Sequence, residues 1–179
     1  KESNEADRSL IDLLENLDPK VVFEIANSIW YRQGFAVEQD FLDVNQTYFD
    51  AEVAEMDFSS PTAPEVINGW VDEKTRGKIQ EVIDEIPPDV VMYLINAIYF
   101  KGTWTFAFDK DKTTSATFHN ADGSESSMQL MALEGSMAAY DGEGYRAVDL
   151  PYGDSLYSMT VVLPDSDVEV NDVVEKLDD

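Results

Sequence analysis

From Val90 to Phe100 every residue is apolar or aromatic except Asn96. Val90, Met92, Leu94, Ile98 and Phe100 fall on one alternating face, and Val91, Tyr93, Ile95, Ala97 and Tyr99 on the other. A strand without a polar face needs cover on both sides, so the pattern predicts a central strand here, opened by Pro87-Pro88 and closed by Lys101-Gly102. A buried amide without a partner costs about 1–3 kcal/mol. Asn96 is therefore expected to hydrogen-bond across to a specific neighbour.

Upstream, Leu10, Leu13, Leu14 and Leu17 recur at helical spacing opposite acids, which predicts a core-packed helix over residues 2–17 that ends at Asp18-Pro19. Residues 21–31, VVFEIANSIWY, read as a strand. Their IANSIWY resembles the later LINAIYF, with Asn27 in the place of Asn96, and the two strands are predicted to be neighbours in one sheet. Gln33-Gly34 turns the chain. Residues 38–49 predict a short helix with Phe41, Leu42 and Tyr48 inward, and residues 51–58 an edge strand. Thr62-Ala63-Pro64-Glu65 fits a capping box. The stripe Val66, Ile67, Trp70 and Val71 then predicts a helix laid on a flat apolar surface, with Trp70 as its largest anchor and Gly77 as its left-handed stop. Ile79, Val82, Ile83 and Ile86 carry the apolar pattern to the proline pair.

After Trp104 the pattern shortens. Segments at 115–118, 126–130, 136–140, 145–150 and 157–163 alternate with turns such as Ala121-Asp122-Gly123 and Pro151-Tyr152-Gly153, and residues 168–177 predict a final short helix. Helices and strands first, then a run of antiparallel strands, define an α+β protein.

Composition narrows the functional classes. The chain has 179 residues and no cysteine, which excludes disulfides and thiolate metal sites. No apolar run is long enough to span a bilayer, and the amino terminus carries no signal-peptide hydrophobic region. Lys1 stands where a starting Met is expected, so further chain upstream is anticipated. The net charge is -25. Nucleic acid, which is bound by neutralising phosphates with Lys and Arg, is excluded as a partner, and anionic membranes with it. The acid is spread: there is no Lys or Arg from Gln33 to Glu73, and only Arg146 and Lys176 follow Lys112. Two readings fit, adaptation to high salt or solubility alongside a basic partner, and the first is preferred.

Candidate chemistry is sparse. There is no Gly-x-Ser-x-Gly elbow, and the single histidine, His119, has no cysteine to pair with. Asp109-x-Asp111 begins like a calcium loop but lacks its glycine and closing glutamate. Gly142-Glu143-Gly144 is half of a dinucleotide fingerprint without its strand–helix setting, and Asn45-Gln46-Thr47 matches a glycosylation sequon that chance explains as well. No catalytic residue, cofactor or metal is expected.

Taken together, several stretches resemble the serpins. Ile67-Asn68-Gly69-Trp70-Val71 with Thr75-Arg76-Gly77-Lys78-Ile79 is similar to that family's helix F and the segment after it. Leu94-Ile95-Asn96-Ala97-Ile98-Tyr99-Phe100-Lys101-Gly102-x-Trp104 is similar to strand 3A, followed by Phe108, Thr113 and Phe118 at the family's spacing. Ala26-Asn27-Ser28-Ile29-Trp30 resembles strand 2A, and the stretch from Tyr48 to Phe58 the end of helix E with strand 1A. The resemblance implies a serpin-like α+β fold: a mixed sheet A, of which strands 1–3 are present, covering helices, and antiparallel strands of sheets B and C. It implies one partial domain over residues 1–179, with helices and sheet A strands in 1–104 and sheet C and B strands and a short helix in 105–179.

The resemblance also implies a mechanism. Inhibitory serpins trap serine or cysteine endopeptidases: the protease is acylated on an exposed reactive-centre loop, which then inserts into sheet A beside strand 3A. It puts Asn96 in the shutter that holds the sheet closed, Trp104 and Thr113 at the breach where insertion begins, and Asn68 and Trp70 on the helix that lies across the sheet. The implied partner is a target protease, with an extracellular or cell-surface setting, or alternatively the cytoplasm. The family's hinge and reactive-centre loop have no counterpart in this sequence. The chain is therefore expected to be a serpin fragment, about helix D to helix G, that does not inhibit by itself and that self-associates through the open edge of the Val90 to Phe100 strand. The alternatives are a non-inhibitory serpin or a protein-interaction module.

Overall fold

Strand β1 (Val21–Arg32) is where the first half of the protein is assembled. In the computed structural model, which describes residues 2–177, β1 is the middle strand of a three-stranded sheet ordered β2–β1–β3, where β2 is Glu52–Met56 and β3 is Met92–Gly102. β2 runs parallel to β1, with Ser28 opposite Glu52 and Arg32 opposite Met56. β3 runs antiparallel: the Phe23 ring meets Phe100, the Asn27 side chain meets Asn96, and the Arg32 amide donates to the Val91 carbonyl. The neighbourhood predicted from the two similar heptapeptides is thus realised, and β2 is at the sheet edge as expected.

Alternation along β1 separates two cores. Trp30 faces helix α3 (Ala63–Lys74) and packs with Phe58, Ile67, Trp70, Val71, Ile83 and Ala97. Ile29 faces the other way and packs with Leu42 of α2 (Gln39–Phe49) and with Ala51. Burial of large apolar side chains stabilises by about 1.5–3 kcal/mol each, and both cores draw on β1.

The structure corrects the sequence reading in five places. β3 starts at Met92 rather than Val90, because the Val90 amide turns back to the Pro87 carbonyl. β3 is covered on one face only: Ala97 is buried, whereas Leu94 is 65% and Ile98 53% exposed. Asn96 shares that open face and is exposed rather than buried. The capping box does not form. Thr62 already has helical φ and ψ (-94° and -3°) because the Ala63 amide donates to the Ser60 carbonyl, and its hydroxyl meets Ser60 Oγ at 3.0 Å instead of capping α3. Finally, α1 (Glu2–Glu15) leaves Leu10 and Leu13 exposed, so its leucine stripe is only half used. Asn45 lies inside α2 with its amide donated to the Phe41 carbonyl, away from any loop.

The chain divides into two compact units, Lys1–Lys101 and Gly102–Asp179. The second is built of antiparallel ladders, as the short segments predict. β4 (Thr114–His119) and β5 (Glu125–Leu130) form a hairpin, and β6 (Ala139–Gly142), β7 (Tyr145–Tyr152) and β8 (Tyr157–Pro164) form a meander. A short helix, α4 (Val170–Val174), and a 3-10 turn (Glu175–Leu177) follow.

Candidate functional site

The residues singled out from the sequence fall in both units. In the first, strand alternation puts Ala97 on the α3 side of β3 and Asn96 on the other side. Asn96 Nδ2 donates to Asn27 Oδ1 at 2.9 Å and lies 3.5 Å from the Ala26 carbonyl. Asn27 in turn donates to the Phe49 carbonyl at 2.9 Å, where α2 ends. One amide relay therefore ties β3 to β1 and β1 to α2. It is the specific partner expected for Asn96, although it is met at the surface.

Trp70 sits on the opposite face. Its ring meets Trp30 edge-on at 6.3 Å, and its Nε1 donates to Glu52 Oε2 at 2.8 Å. Asn68, two residues earlier on α3, accepts from the amides of Val82 and Ile83 at 2.9 and 3.0 Å and donates to the Ile83 carbonyl at 2.7 Å. The long return from α3 to β3 has no regular elements of its own, so these bonds fix its course. Trp70 holds the helix to the sheet, and Asn68 holds the return segment to the helix.

In the second unit the Trp104 ring stacks on Tyr152 (4.3 Å, 15°) and meets Phe108 edge-on at 5.9 Å. The stack needs Gly102, since a Cβ there would lie 2.7 Å from the Tyr152 ring. Backbone bonds on either side, Thr105 to Pro151 and Gly153 to Thr103, fix the crossing. Thr113 follows a 3-10 turn (Lys110–Lys112), half-buried, with its amide donated to the Lys110 carbonyl.

Sequence reasoning missed the charged groups around α3. Arg32 Nε donates to the Val90 carbonyl at 2.9 Å while its guanidinium lies 5.3 Å from the Phe58 ring centre. Arg76 pairs with Glu24 and lies over Tyr99. The Glu24 bonds hold the Arg76 guanidinium above its ordinary pKa. One signal was available: with 12 Lys and Arg against 37 acids, Arg32 and Lys74-x-Arg76 bracket a stretch that has no cation. Among the described residues no cluster of His, Asp and Glu has the makings of a metal site.

The family model described as "Serpin (serine protease inhibitor)" matches residues 1–179. An uncharacterized serpin-like protein of Methanosarcina mazei is 33% identical over 145 residues, covering 79% of this chain and 34% of that protein. Human Serpin I2 is 30% identical over 177 residues, covering 95% of this chain and 44% of the relative. Among solved structures, the thermophilic serpin tengpin in its latent state superposes with a TM-score of 0.87 at 30% identity, covering 98% of this chain and 48% of tengpin. The chain belongs to the serpin family. It spans between a third and a half of the length of these relatives. Its α+β architecture is that of the serpin fold, and the family generally acts by binding proteases.

Proposed function

We propose that this chain is the part of a suicide-type inhibitor of serine endopeptidases that receives the reactive-centre loop. The observation that carries the reading is β3 itself. It is the last strand of its sheet among the described residues, its Leu94 and Ile98 are exposed, and α3 lies across the same sheet on the other face. A cleaved loop added beside β3 would extend the backbone ladder at this open edge, in the mode of strand addition, and would release stored strain as it went in.

In this reading Asn96 acts as a shutter, because the relay through Asn27 to the end of α2 keeps β3 registered on β1. Trp104, through its stack on Tyr152, and Thr113 are assigned to the breach. Asn68 and Trp70 hold the helix and return segment that must yield. An extracellular or cell-surface setting fits the acidic chain, and no helix among the described residues is long and apolar enough to cross a membrane.

The deciding experiment takes a chain that carries this segment together with a reactive-centre loop and incubates it with a trypsin-like or chymotrypsin-like protease. An SDS-resistant one-to-one complex is expected. Cleavage of the loop with free, active protease would overturn the inhibitor reading and favour a non-inhibitory serpin or interaction module. The exposed Leu94 and Ile98 also favour self-association of the isolated chain through β3. Light scattering at rising concentration is expected to show dimers or larger species that Ile98→Lys reduces; a concentrated monomer would remove that reading.

A further inference from the structure

Arg76 adopts φ 53°, in the left-handed region that crowds the Cβ of any residue but glycine. Such a conformation persists where the surroundings hold it. Here the holding groups come from the sheet. Arg76 Nε donates to Glu24 Oε2 at 3.0 Å and Nη2 to Glu24 Oε1 at 2.5 Å, a forked pairing that lysine has no geometry for. The guanidinium carbon also sits 4.8 Å from the centre of the Tyr99 ring. Glu24 lies on β1 and Tyr99 on β3, at the same offset that sets Asn27 against Asn96 and Phe23 against Phe100. They therefore face each other across the pair, and one side chain bridges both strands.

The rest of the turn is seated from within. Thr75 is buried, with its hydroxyl donated to the Val71 carbonyl at 2.7 Å and accepting from the Ile79 amide at 3.0 Å. Gly77 follows at φ 77° with its amide donated to the Asp72 carbonyl. On the β3 side a recess of about 460 Å³ is lined by Thr75, Lys78, Ile79, Ile98, Tyr99 and Lys101 among others.

We propose that Arg76 is a positioning residue that clamps the turn after α3 to the β1–β3 pair, and that α3 lifts from the sheet only when this clamp opens. Its link to inhibition rests on the insertion reading above: a strand added beside β3 would pass through this recess, which shares Tyr99 with the clamp. The clamp itself is a property of this unit and is testable without a protease. The rarity of cations in the chain makes the pairing specific, because Glu24 has few other basic groups to turn to.

Hydrogen exchange of the amides of Thr75, Arg76, Gly77, Lys78 and Ile79 tests it. In Glu24→Gln and in Arg76→Gln, exchange is expected to quicken by about threefold to tenfold. The double variant should exchange no faster than the quicker single variant, because both break one contact. Arg76→Gly separates a clamp from a turn residue. Glycine relaxes the left-handed φ, so a turn-filling role predicts unchanged or slower exchange, and the clamp predicts faster exchange. Rates within about twofold of the parent chain in Arg76→Gln, or multiplicative effects in the double variant, overturn the proposal. If the clamp passes and the loop-bearing chain forms no complex with protease, the insertion reading fails and the clamp stands. If the complex forms and the exchange rates do not move, the clamp fails and the insertion reading stands.

Discussion

Strands β1 and β8 are both rich in β-branched, aromatic and other apolar residues, yet their surroundings differ. β1 lies beneath α3 on one face and beside α2 on the other, and Ile29 and Trp30 are both buried. On β8, Met159, Val161 and Leu163 are exposed. The contrast extends to the whole of each unit. Lys1–Lys101 buries Trp30, Phe58, Ile67, Trp70 and Val71, whereas Val173 is the one deeply buried apolar side chain among the described residues of Gly102–Asp179. A strand pattern thus states that the chain is extended and that its faces are apolar; which face is covered depends on what packs there. Stability in the first unit lives in a sheet–helix core, and in the second in ladders and a few ring contacts.

The largest expected effect tests that division directly. Trp70→Ala should cost about 3–5 kcal/mol in urea denaturation, because it empties the space against Trp30 and leaves Glu52 without its indole donor. Val161→Ala on the open β8 should stay within about 0.5 kcal/mol. A Trp70 loss below about 1 kcal/mol would break the comparison.

In the second unit the sensitive position is a glycine. Gly102→Ala would drive a Cβ into Tyr152 and unstack Trp104, at a cost of about 1–3 kcal/mol. The indole near-ultraviolet signal should weaken with it. An unchanged signal would mean that the stack is not what fixes this crossing.

A smaller change is expected at Asn96. Asn96→Ala leaves Asn27 Oδ1 without its donor at an exposed site, worth about 0.5–1.5 kcal/mol. Asn96→Asp removes the donor and keeps the shape, so it should match or exceed that loss. If alanine proves neutral while aspartate destabilises, charge in an acidic field rather than the amide relay is what matters at this position.

Much of this was legible in the sequence because it is local. The elements β1, α2 and β4 to β8 follow from alternation, helical spacing and turn residues, each a signal carried within a few positions. The pairing of β1 with β3 was readable for a different reason: IANSIWY and LINAIYF bear matching asparagines. What was not legible is set by distant chain. No local feature tells that α3 covers Tyr93 and Ile95 but leaves Leu94 open, or that Glu24 lies within reach of Arg76, 52 residues away. The failed capping box has the same origin, since the turn at Ser60 commits Thr62 to helical angles before its hydroxyl could cap. At the candidate site the sequence singled out Asn68, Trp70 and Asn96, and it gave no sign of the Arg76–Glu24 pair beside α3.

The smallest effect compares one motif in both units. Asp57 accepts from the amide of Ser59 at 2.9 Å and from its hydroxyl at 2.5 Å; Asp122 accepts from Ser124 at 2.9 and 2.6 Å. In each case the serine hydroxyl bond, with the amide bond behind it, holds the carboxyl below its ordinary 3.8. A pKa lowered by folding stabilises the folded state above the ordinary carboxylate value, and that contribution disappears as the pH falls through the lower folded value. The window is therefore the acid limb below about pH 4. Ser59→Ala and Ser124→Ala should each raise the neighbouring aspartate toward 3.8, read by carboxyl carbon NMR, and the stability lost with the bond should be seen at neutral pH and vanish on the acid limb. Both should stop short of it, because the backbone amide at position 59 or 124 still donates to the carboxylate. Equal behaviour at the two sites would show that these turns are local devices, indifferent to whether a buried core lies beneath them. A shift at Asp57 alone would mean that the first unit's core is needed to hold even so short a motif.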